Sequence, residues 1–398
     1  MSHTVEEAVE EQRAALLQLS HSIHAEPEIG FEEHRAVRRV ADYLAQHGID
    51  STIGGYGLAT SLEARVGEGG PVVAFLAEYD ALPDIGHACG HNVICAASVG
   101  AFVALASRIR EIGGTAVLLG TPAEENGTGK EIMARAGAFN GVDAALMIHP
   151  HGGPDITETA FLGLREVEVT FRGRSAHASA VPHLALNALD GVVAAYQGVA
   201  ALRQHILPSD RVHGIITHGG ESPNVIPAHA SAHFYVRSAS LERLADISRR
   251  VQQIVDGAAA MSNTAAEVRW DANPPCVPVR FNRALGERFI SHLGARGRTV
   301  HRDDPREDAS TGSTDLGNVS VRVPSIHPMV GIATGAGIHT QDFANKAVSA
   351  EADRAVIDSA ITLAHTAEEY LVSEELRVQV RAEFEADGGV VDLEQLFA

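Results

Sequence analysis

Cysteine is scarce in this chain, and acidic residues outnumber basic ones. Cys89, Cys95 and Cys276, three cysteines among 398 residues, are too few and too scattered for a disulfide framework, which argues against a small secreted scaffold. The 31 lysines and arginines face 51 aspartates and glutamates, so the formal net charge is −20. This balance argues against nucleic acid or an anionic membrane as a partner, because both attract basic patches.

The sequence pattern also lacks membrane and export signals. No apolar run approaches the roughly 20 residues that are needed to span a bilayer. The chain does not open with a charged stretch followed by an apolar one, as a signal peptide does. Together with the few cysteines, these features predict a cytoplasmic protein with no membrane partner.

Hydrophobic residues make up 45% of the chain, which is enough for sizeable buried cores. The length suits two domains at the usual size of roughly 100–200 residues each. The 21 histidines stand out, because several lie in short motifs at predicted strand ends. Histidine is a common metal ligand, although most histidines in any protein are structural or lie at the surface.

The first part of the chain alternates strands and helices. Two amphipathic helices are predicted at residues 5–24 and 32–47. After them the pattern predicts strands at 52–66, 72–77, 115–120 and 144–148, and helices at 93–112 and 129–139. This alternation indicates an α/β domain with a mostly parallel sheet.

The pattern of polar and apolar residues changes near Leu164. Residues 165–171 alternate polar and apolar side chains, as a half-exposed antiparallel strand does. Predicted helices at 185–204 and 241–260 and strands at 213–218, 230–237 and 265–270 complete a β-α-β-β-α-β order, which is typical of a ferredoxin-like α+β domain. Helical and strand patterns then resume at 281–293, 325–332 and 350–371. We therefore predict one α/β domain, residues 1–163 and 274–398, interrupted by an inserted domain at 164–273.

His87-Ala88-Cys89-Gly90-His91-Asn92 places a thiol and an imidazole two residues apart. Both side chains are able to bind one transition-metal ion if the backbone turns between them, and Gly90 permits that turn. The motif follows the predicted strand 72–77, and open α/β sheets build their sites at the carboxyl ends of strands. The alternative is a buried cysteine beside a satisfied histidine.

Three further segments follow predicted strands or form glycine-rich turns. Glu124 and Glu125 follow strand 115–120, where one is able to bind metal and the other to act as a general base. Alone, this pair also suits an acidic helix start. His149 follows strand 144–148, and His339 lies in a glycine-rich turn; each alone would be a packing or loop histidine. Together with Cys89 and His91 these residues exceed what one zinc needs and suit two metals.

These motifs, in this order, resemble the M20 metallopeptidase/amidohydrolase family. The closer resemblance is to the amidohydrolase branch with aminobenzoyl-glutamate hydrolases, N-acyl-amino-acid hydrolases and β-alanyl-lysine-type dipeptidases, and it covers nearly the whole chain. The motifs that carry it are His24 to Glu33, Glu78-Tyr79-Asp80-Ala81-Leu82-Pro83, His87 to His91, Pro122 to Glu125, His149-Pro150, Ser313 to Ser320, Pro324 to Pro328 and His339-Thr340.

The resemblance implies a role for each of these candidate residues. Cys89 would bridge two divalent ions, Zn²⁺ or Mn²⁺ with Co²⁺ also accepted, where other branches use aspartate. The other ligands would be His91, Glu125, His149 and His339. Glu124 would be the general base, and Asp80 would orient a ligand imidazole. Asn92 departs from the family pattern, because many relatives have aspartate after this histidine.

The inserted domain resembles the family's lid and dimerisation domain, which implies a homodimer or a higher homo-oligomer. His177 matches a histidine that reaches the partner subunit's active site and polarises the scissile carbonyl. Asn224 lies in a loop resembling one that contacts substrate, and Arg237 is a candidate for a substrate carboxylate. From the residues alone, a turn histidine after an exposed strand is the first interpretation of His177, and Arg237 is equally a solvated strand-end arginine.

The predicted function is hydrolysis of the amide bond in small N-acyl amino acids or dipeptides with a free carboxylate, with a metal-bridging hydroxide as nucleophile. The Ser313–Ser320 motif favours dipeptides. One alternative is a catalytically silent, metal-containing binding or regulatory protein on the same fold. Another is an esterase with Cys89 as nucleophile, which would lose activity on thiol alkylation and ignore chelators.

Overall fold

A computed structural model describes residues 4–303 and 312–397 of the chain. The described residues form two compact units. Unit 2 contains Phe161–Pro278, the short piece 312–314 and the helix Leu393–Phe397; unit 1 contains the remainder. The predicted inserted domain, 164–273, falls within unit 2.

The α-helices Ala188–Leu202, Leu241–Ser262 and Leu393–Phe397 belong to unit 2, and the other described α-helices belong to unit 1. The α-helices are α1 (Val5–Ala25), α2 (His34–Gln46), α3 (His91–Ile112), α4 (Glu124–Gly127), α5 (Gly129–Arg135), α6 (Ala188–Leu202), α7 (Leu241–Ser262), α8 (Arg283–Ala295), α9 (Leu316–Ser320), α10 (Gln341–Lys346), α11 (Ala350–Val372), α12 (Glu374–Ala386) and α13 (Leu393–Phe397). Short 3-10 turns occur at Pro182–Leu184 and Arg203–His205.

The strands form three sheets. They are β1 (Ser51–Ile53), β2 (Leu62–Gly67), β3 (Val72–Ala77), β4 (Thr115–Gly120), β5 (Ala144–Leu146), β6 (His149–His151), β7 (Asp155–Glu158), β8 (Gly163–Arg172), β9 (Arg211–His218), β10 (His229–Ser238), β11 (Ala265–Trp270), β12 (Val300–Asp303), β13 (Ser325–Ile326) and β14 (Met329–Gly331).

The main sheet of unit 1 has the order β1-β2-β4-β3-β5-β13. Strand β3 pairs in parallel with both β4 and β5, and β13 is parallel to β5, whereas the β1-β2 edge is antiparallel to β4. The mostly parallel α/β class is therefore confirmed. Because β3, β4 and β5 run in the same direction as neighbours, the segments that follow them emerge at one edge of the sheet.

Two predicted strands are divided in the structure, and a third is shorter than predicted. Residues 52–66 form two strands, β1 and β2, that pair with each other in antiparallel register. Residues 144–148 and 325–332 each leave the main sheet early, and the chain enters a second sheet of order β12-β7-β14-β6. Pro328 lies between β13 and β14, where the chain changes sheet, and proline lacks the N–H that would continue a ladder.

Unit 2 has the predicted β-α-β-β-α-β order. Its sheet is antiparallel throughout, in the order β11-β8-β10-β9. Alternate side chains of β8 and β10, among them Val167, Phe171 and Phe234, are buried with the apolar faces of α6 and α7. The other face of each strand is more exposed, as the alternating pattern predicts.

Helix α3 is central to the core of unit 1. It packs against α1, α11 and the main sheet, and nearly all of its residues are buried. Among the described residues it is the one helix that is long and apolar enough to cross a membrane by length and composition, and 83% of its most apolar window is buried. The expectation that no segment approaches this length was therefore wrong for α3. Core helices pass the same test, because a helix that is apolar on all sides is either buried or membrane-spanning.

Candidate metal centre

The loop between β3 and α3 brings Cys89 and His91 into the interior. Helix α3 begins at His91, two residues before the predicted start, and Gly90 precedes it with φ 77°. A Cβ atom on Gly90 would lie 2.6 Å from Pro150 Cγ. Glycine is therefore required here both by the left-handed backbone and by the close approach of the neighbouring strand.

The segment after β4 carries Glu124 and Glu125 in the one-turn helix α4. Ala123, just before it, has φ 58°, and Thr128, just after it, has φ 52°. Non-glycine residues seldom adopt this left-handed conformation, and when they do it is often at a functional site. The backbone N–H of Glu125 donates to Asp80 Oδ2 at 2.9 Å.

The two candidate ligand histidines, which follow β3 and β5, have the same ring nitrogen, Nε2, left for a metal. His91 Nδ1 donates to Asp80 Oδ1 at 2.9 Å, and His149 Nδ1 donates to the carbonyl of Pro150 at 2.7 Å. These bonds leave Nε2 of each ring able to bind a metal. His149 Nε2 lies 3.3 Å from Cys89 Sγ. His339, which also has a positive φ, donates its backbone N–H to Ala88 and lies 3.4 Å from Glu125 through Nε2.

All six side chains that sequence analysis singled out for metal binding and base catalysis come together. They form three overlapping groups whose ligand atoms lie within 4.8 Å of one another: Cys89, His91 and His149; Cys89, Glu125 and His339; and His91, Glu124 and Glu125. His91 Nε2 and Glu125 Oε1 are buried and have no hydrogen-bond partner among the described residues. Thiol, imidazole and carboxylate donors suit Zn²⁺, Mn²⁺ or Co²⁺, so this donor set fits the metals that the resemblance implies.

The environment separates the acid strengths of these groups. Burial raises the pKa of Glu124, and the charge of Glu125 raises it further. Burial opposes ionisation of Glu125 too, but the contact with His339 and the charge of His91 outweigh it, so the pKa of Glu125 is lowered. Burial lowers the pKa of His149 to about 4, which favours the neutral imidazole that binds metals. Burial also raises the pKa of the Cys89 thiol.

A buried charge cluster next to these ligands was missed by sequence analysis. Lys130 is completely buried, and its Nζ donates to Glu78 Oε1 and Asp315 Oδ1, both at 2.5 Å. The other oxygen of Glu78 lies 3.4 Å from His91 Nε2. Lys130 is one of only two lysines in the chain. The scarcity of lysine was the signal that the sequence offered. Lys130 was not singled out, because a lone lysine beside an acidic motif is easily taken for a solvated residue.

Asn92, the departure from the family pattern, has a structural partner. Its side-chain amide donates to Ser20 Oγ and to the carbonyl of Ala347, both at 2.9 Å. It therefore joins α3 to α1 and to the loop before α11. A negative charge is not needed for these two bonds, since both partners accept from Nδ2.

The remaining candidates belong to unit 2. His177 and Asn224 are exposed and lie in adjacent segments, because residue 177 forms a β-bridge with Val225. His177 Nδ1 accepts from the backbone N–H of Ser179 at 3.3 Å. Arg237 lies elsewhere in this unit, at the end of β10, and donates to Ser313 Oγ at 3.0 Å.

Comparison with known proteins agrees with this arrangement. Residues 159–261 match the family described as the peptidase dimerisation domain of M20. The chain is 34% identical over 400 residues to the Xaa-Arg dipeptidase of Mus musculus, covering 95% of this chain and 90% of that protein. It is 34% identical over 313 residues to a subunit of the p-aminobenzoyl-glutamate hydrolase of Escherichia coli K12, covering 73% of this chain and 65% of that protein.

A solved structure shares the fold. The dinuclear metal-binding peptidase from the M20 family of Bacillus subtilis superposes with a TM-score of 0.65 at 21% identity, covering 90% of this chain and 99% of that one. With the site geometry and the extended identity to the mouse dipeptidase, the assignment follows: the chain belongs to the M20 family of metallopeptidases and amidohydrolases, in its amidohydrolase branch.

Proposed function

We propose that this protein hydrolyses the amide bond of dipeptides or small N-acyl amino acids that carry a free carboxylate, and that it uses two divalent metal ions. The observation that carries the proposal is the convergence of six side chains on one position in unit 1. Relatives named as dipeptidases, hydrolases and deacetylases support amide or peptide hydrolysis as the reaction class.

Cys89, His91, Glu125, His149 and His339 would hold the metals. Bound there, two divalent ions would polarise the amide carbonyl and acidify the attacking water. Asp80 would fix the ring of His91 and the backbone of Glu125 through the two hydrogen bonds described above. Cys89 would contribute a thiolate, because a metal displaces the thiol proton whose pKa burial otherwise raises.

Glu124 is the proposed general base. Its carboxylate lies 3.9 Å from His91 Nε2, within the same cluster as the ligands. It would take a proton from the attacking water as the new C–O bond forms. It would then deliver that proton to the amide nitrogen as the C–N bond breaks, a return that the raised pKa of Glu124 favours. Opposite pKa shifts in adjacent carboxyls are the pattern expected when one is an acid–base group and the other stays ionised.

We assign His177 to the oxyanion that forms at the scissile carbonyl, and Asn224 and Arg237 to the substrate, with Arg237 on its carboxylate. The match to a peptidase dimerisation domain supports a homo-oligomer, and we propose a homodimer built through unit 2. Among substrates we favour dipeptides with a basic C-terminal residue. The extended identity to Xaa-Arg dipeptidases supports this choice, and a net charge of −20 would attract a cationic substrate.

A hydrolysis panel tests the proposal. Xaa-Arg and Xaa-Lys dipeptides, p-aminobenzoyl-glutamate and N-acetyl amino acids are offered to protein loaded with Zn²⁺, Mn²⁺ or Co²⁺. We expect Glu124→Gln to lower kcat by about 10²–10⁴-fold at unchanged metal content. Glu68→Gln, at an exposed glutamate, is the matched control. Near-wild-type turnover of Glu124→Gln would refute the assigned role, and retention of an uncleaved dipeptide by metal-loaded wild type would favour the silent binding protein.

A further inference from the structure

The N-terminal motif His24 to Glu33 has no role in the chemistry proposed above, yet it packs directly against the turn that carries Glu124 and Glu125. Glu33 is completely buried just before α2. Its Oε1 accepts from the backbone N–H of Ala123 at 2.8 Å. Its Oε2 accepts from the hydroxyl of Thr60, in the loop between β1 and β2, at 2.7 Å.

The backbone that receives this contact is unusual. Ala123 has φ 58°, a conformation that side-chain-bearing residues seldom adopt unless the surroundings hold them there. This residue ends the extended segment after β4 and directs the chain into α4. A return of Ala123 to an ordinary φ would re-aim both glutamates that follow it.

Two neighbours of Glu33 in sequence also contact this turn. A Cβ atom on Gly30 would lie 2.1 Å from Asn126 Oδ1 and 2.8 Å from Ala123 Cα. A Cβ atom on Gly127 would lie 2.2 Å from Cζ of Phe31. The N-terminal motif therefore lies against both the first and the last residues of the turn, with no room for a further methyl group at either contact.

The backbone N–H groups on both sides of residue 124 donate hydrogen bonds to buried carboxylates. The N–H of Ala123 donates to Glu33, and the N–H of Glu125 donates to Asp80 at 2.9 Å. The same N-terminal motif pairs with the segment that holds Asp80, because Ala81 donates its N–H to the carbonyl of Glu28 at 2.8 Å. The N-terminal motif therefore contacts both the turn at Ala123 and the segment that holds Asp80.

We propose that Glu33 is a positioning residue: it holds Ala123 in the left-handed conformation and thereby sets the direction of Glu124 and Glu125. The inference rests on the function proposed for Glu124. Glu33 itself touches neither substrate nor metal in this account. Its contribution is the hydrogen bond to the Ala123 amide, supported from behind by Thr60.

Three variants separate positioning from general stability. Glu33→Ala removes the acceptor, Glu33→Gln keeps one acceptor oxygen at similar volume, and Glu32→Ala alters an exposed neighbour as control. Burial raises the pKa of Glu33 to about 7, so an uncharged glutamine is an acceptable replacement. We expect kcat of metal-loaded Glu33→Ala to fall on the order of tenfold to a hundredfold with KM nearly unchanged, since small misplacements of a catalytic group have effects of this size. Glu33→Gln should recover most of the loss.

A second measurement does not depend on catalysis. Hydrogen exchange of the segment 120–128 is followed by mass spectrometry in metal-free protein. We expect faster exchange in Glu33→Ala, near-wild-type exchange in Glu33→Gln and no change in Glu32→Ala. If wild type hydrolyses nothing on the panel, the proposed function fails, while this measurement still decides whether Glu33 holds the turn.

The outcomes that overturn the inference are specific. Unchanged hydrogen exchange of segment 120–128 in Glu33→Ala overturns the inference. Turnover of metal-loaded Glu33→Ala within about twofold of wild type also overturns it, because misplacement of Glu124 predicts a larger loss of kcat. Failure of Glu33→Gln to recover turnover while it restores stability also contradicts it. If Glu33→Ala does not fold, Glu33→Asp replaces it, because the shorter side chain withdraws the carboxylate from the Ala123 amide. Faster exchange in Glu33→Asp then supports the inference, and unchanged exchange overturns it.

Discussion

Replacement of Asp80 by asparagine tests the arrangement of the metal centre most directly. Asp80 is buried, and each of its carboxylate oxygens accepts one hydrogen bond, from His91 Nδ1 and from the N–H of Glu125, both at 2.9 Å. Asparagine keeps the volume but has one acceptor oxygen and one donor group. In Asp80→Asn, therefore, one of these two N–H groups must face an amide donor.

The expected effect is on metal affinity. Loss of a partner that orients a ligand weakens metal binding by about 10–100-fold. At about 1.4 kcal/mol for each tenfold change, this corresponds to about 1.4–2.8 kcal/mol. Because Asp80 orients one proposed ligand through its ring and another through its backbone, we expect a value near the upper end, about 100-fold. An unsatisfied buried donor also lowers the free energy of unfolding, by about 1–3 kcal/mol.

The assay is competition for Zn²⁺ between metal-free protein and a chromogenic chelator, repeated with Mn²⁺ by calorimetry. Asp84→Asn is the matched control, because Asp84 is exposed and lies four residues away in the same loop. The control should bind both metals like wild type. Circular dichroism first shows that Asp80→Asn is folded. We expect the folded variant to bind Zn²⁺ about tenfold to hundredfold more weakly than wild type. An affinity within about twofold of wild type would mean that Asp80 does not orient the ligands.

Three further predictions concern metal dependence, the buried charge cluster and the thiol. Chelation should abolish turnover, and Zn²⁺, Mn²⁺ or Co²⁺ should restore it. Free metal at 100 times its Kd should raise the free energy of unfolding by about 2.7 kcal/mol, as measured by thermal unfolding. An unchanged unfolding temperature would contradict metal binding. Lys130→Met leaves Glu78 and Asp315 as unpaired buried charges, so it should lower the free energy of unfolding in urea by about 3–5 kcal/mol, whereas Lys346→Met, at the exposed second lysine, should change it by less than about 0.5 kcal/mol. Peroxide should inactivate metal-free protein faster than metal-loaded protein, as assayed after removal of the peroxide and reloading with metal, because a bound metal shields Cys89. Equal rates would count against Cys89 as a ligand.

Local sequence patterns predicted much of the secondary structure, because the spacing of apolar residues reflects which face of a helix or strand is buried. The periodic apolar positions of α1, α2 and α11 placed the ends of those helices to within two residues of the observed ends. The β-α-β-β-α-β order of unit 2 followed from strand alternation and helix length in the same way. Strand ends followed by Cys89, Glu124 and His149 predicted a common site, because neighbouring parallel strands end at one edge of a sheet.

Other features depend on contacts between distant residues, and no local pattern contains them. Residues 325–332 look like one strand but divide between two sheets, because their neighbours in space differ along their length. The predicted strand 144–148 ends at Leu146 for the same reason, and the chain enters the second sheet at His149. The left-handed Ala123 donates a hydrogen bond to Glu33, ninety residues earlier in the chain. The pairing of Lys130 with Glu78 and Asp315 likewise spans 52 and 185 residues.

The sequence by itself therefore determined the fold class and the six residues of the candidate metal centre, because strand order and residue type decide which chemical groups reach one sheet edge. Only the tertiary structure decided how those groups are held. The hydrogen bonds of Glu33 to Ala123, of Lys130 to Asp315 and of Asp80 to the backbone of Glu125 join segments far apart in the chain. Such bonds become visible only when burial brings their partners together.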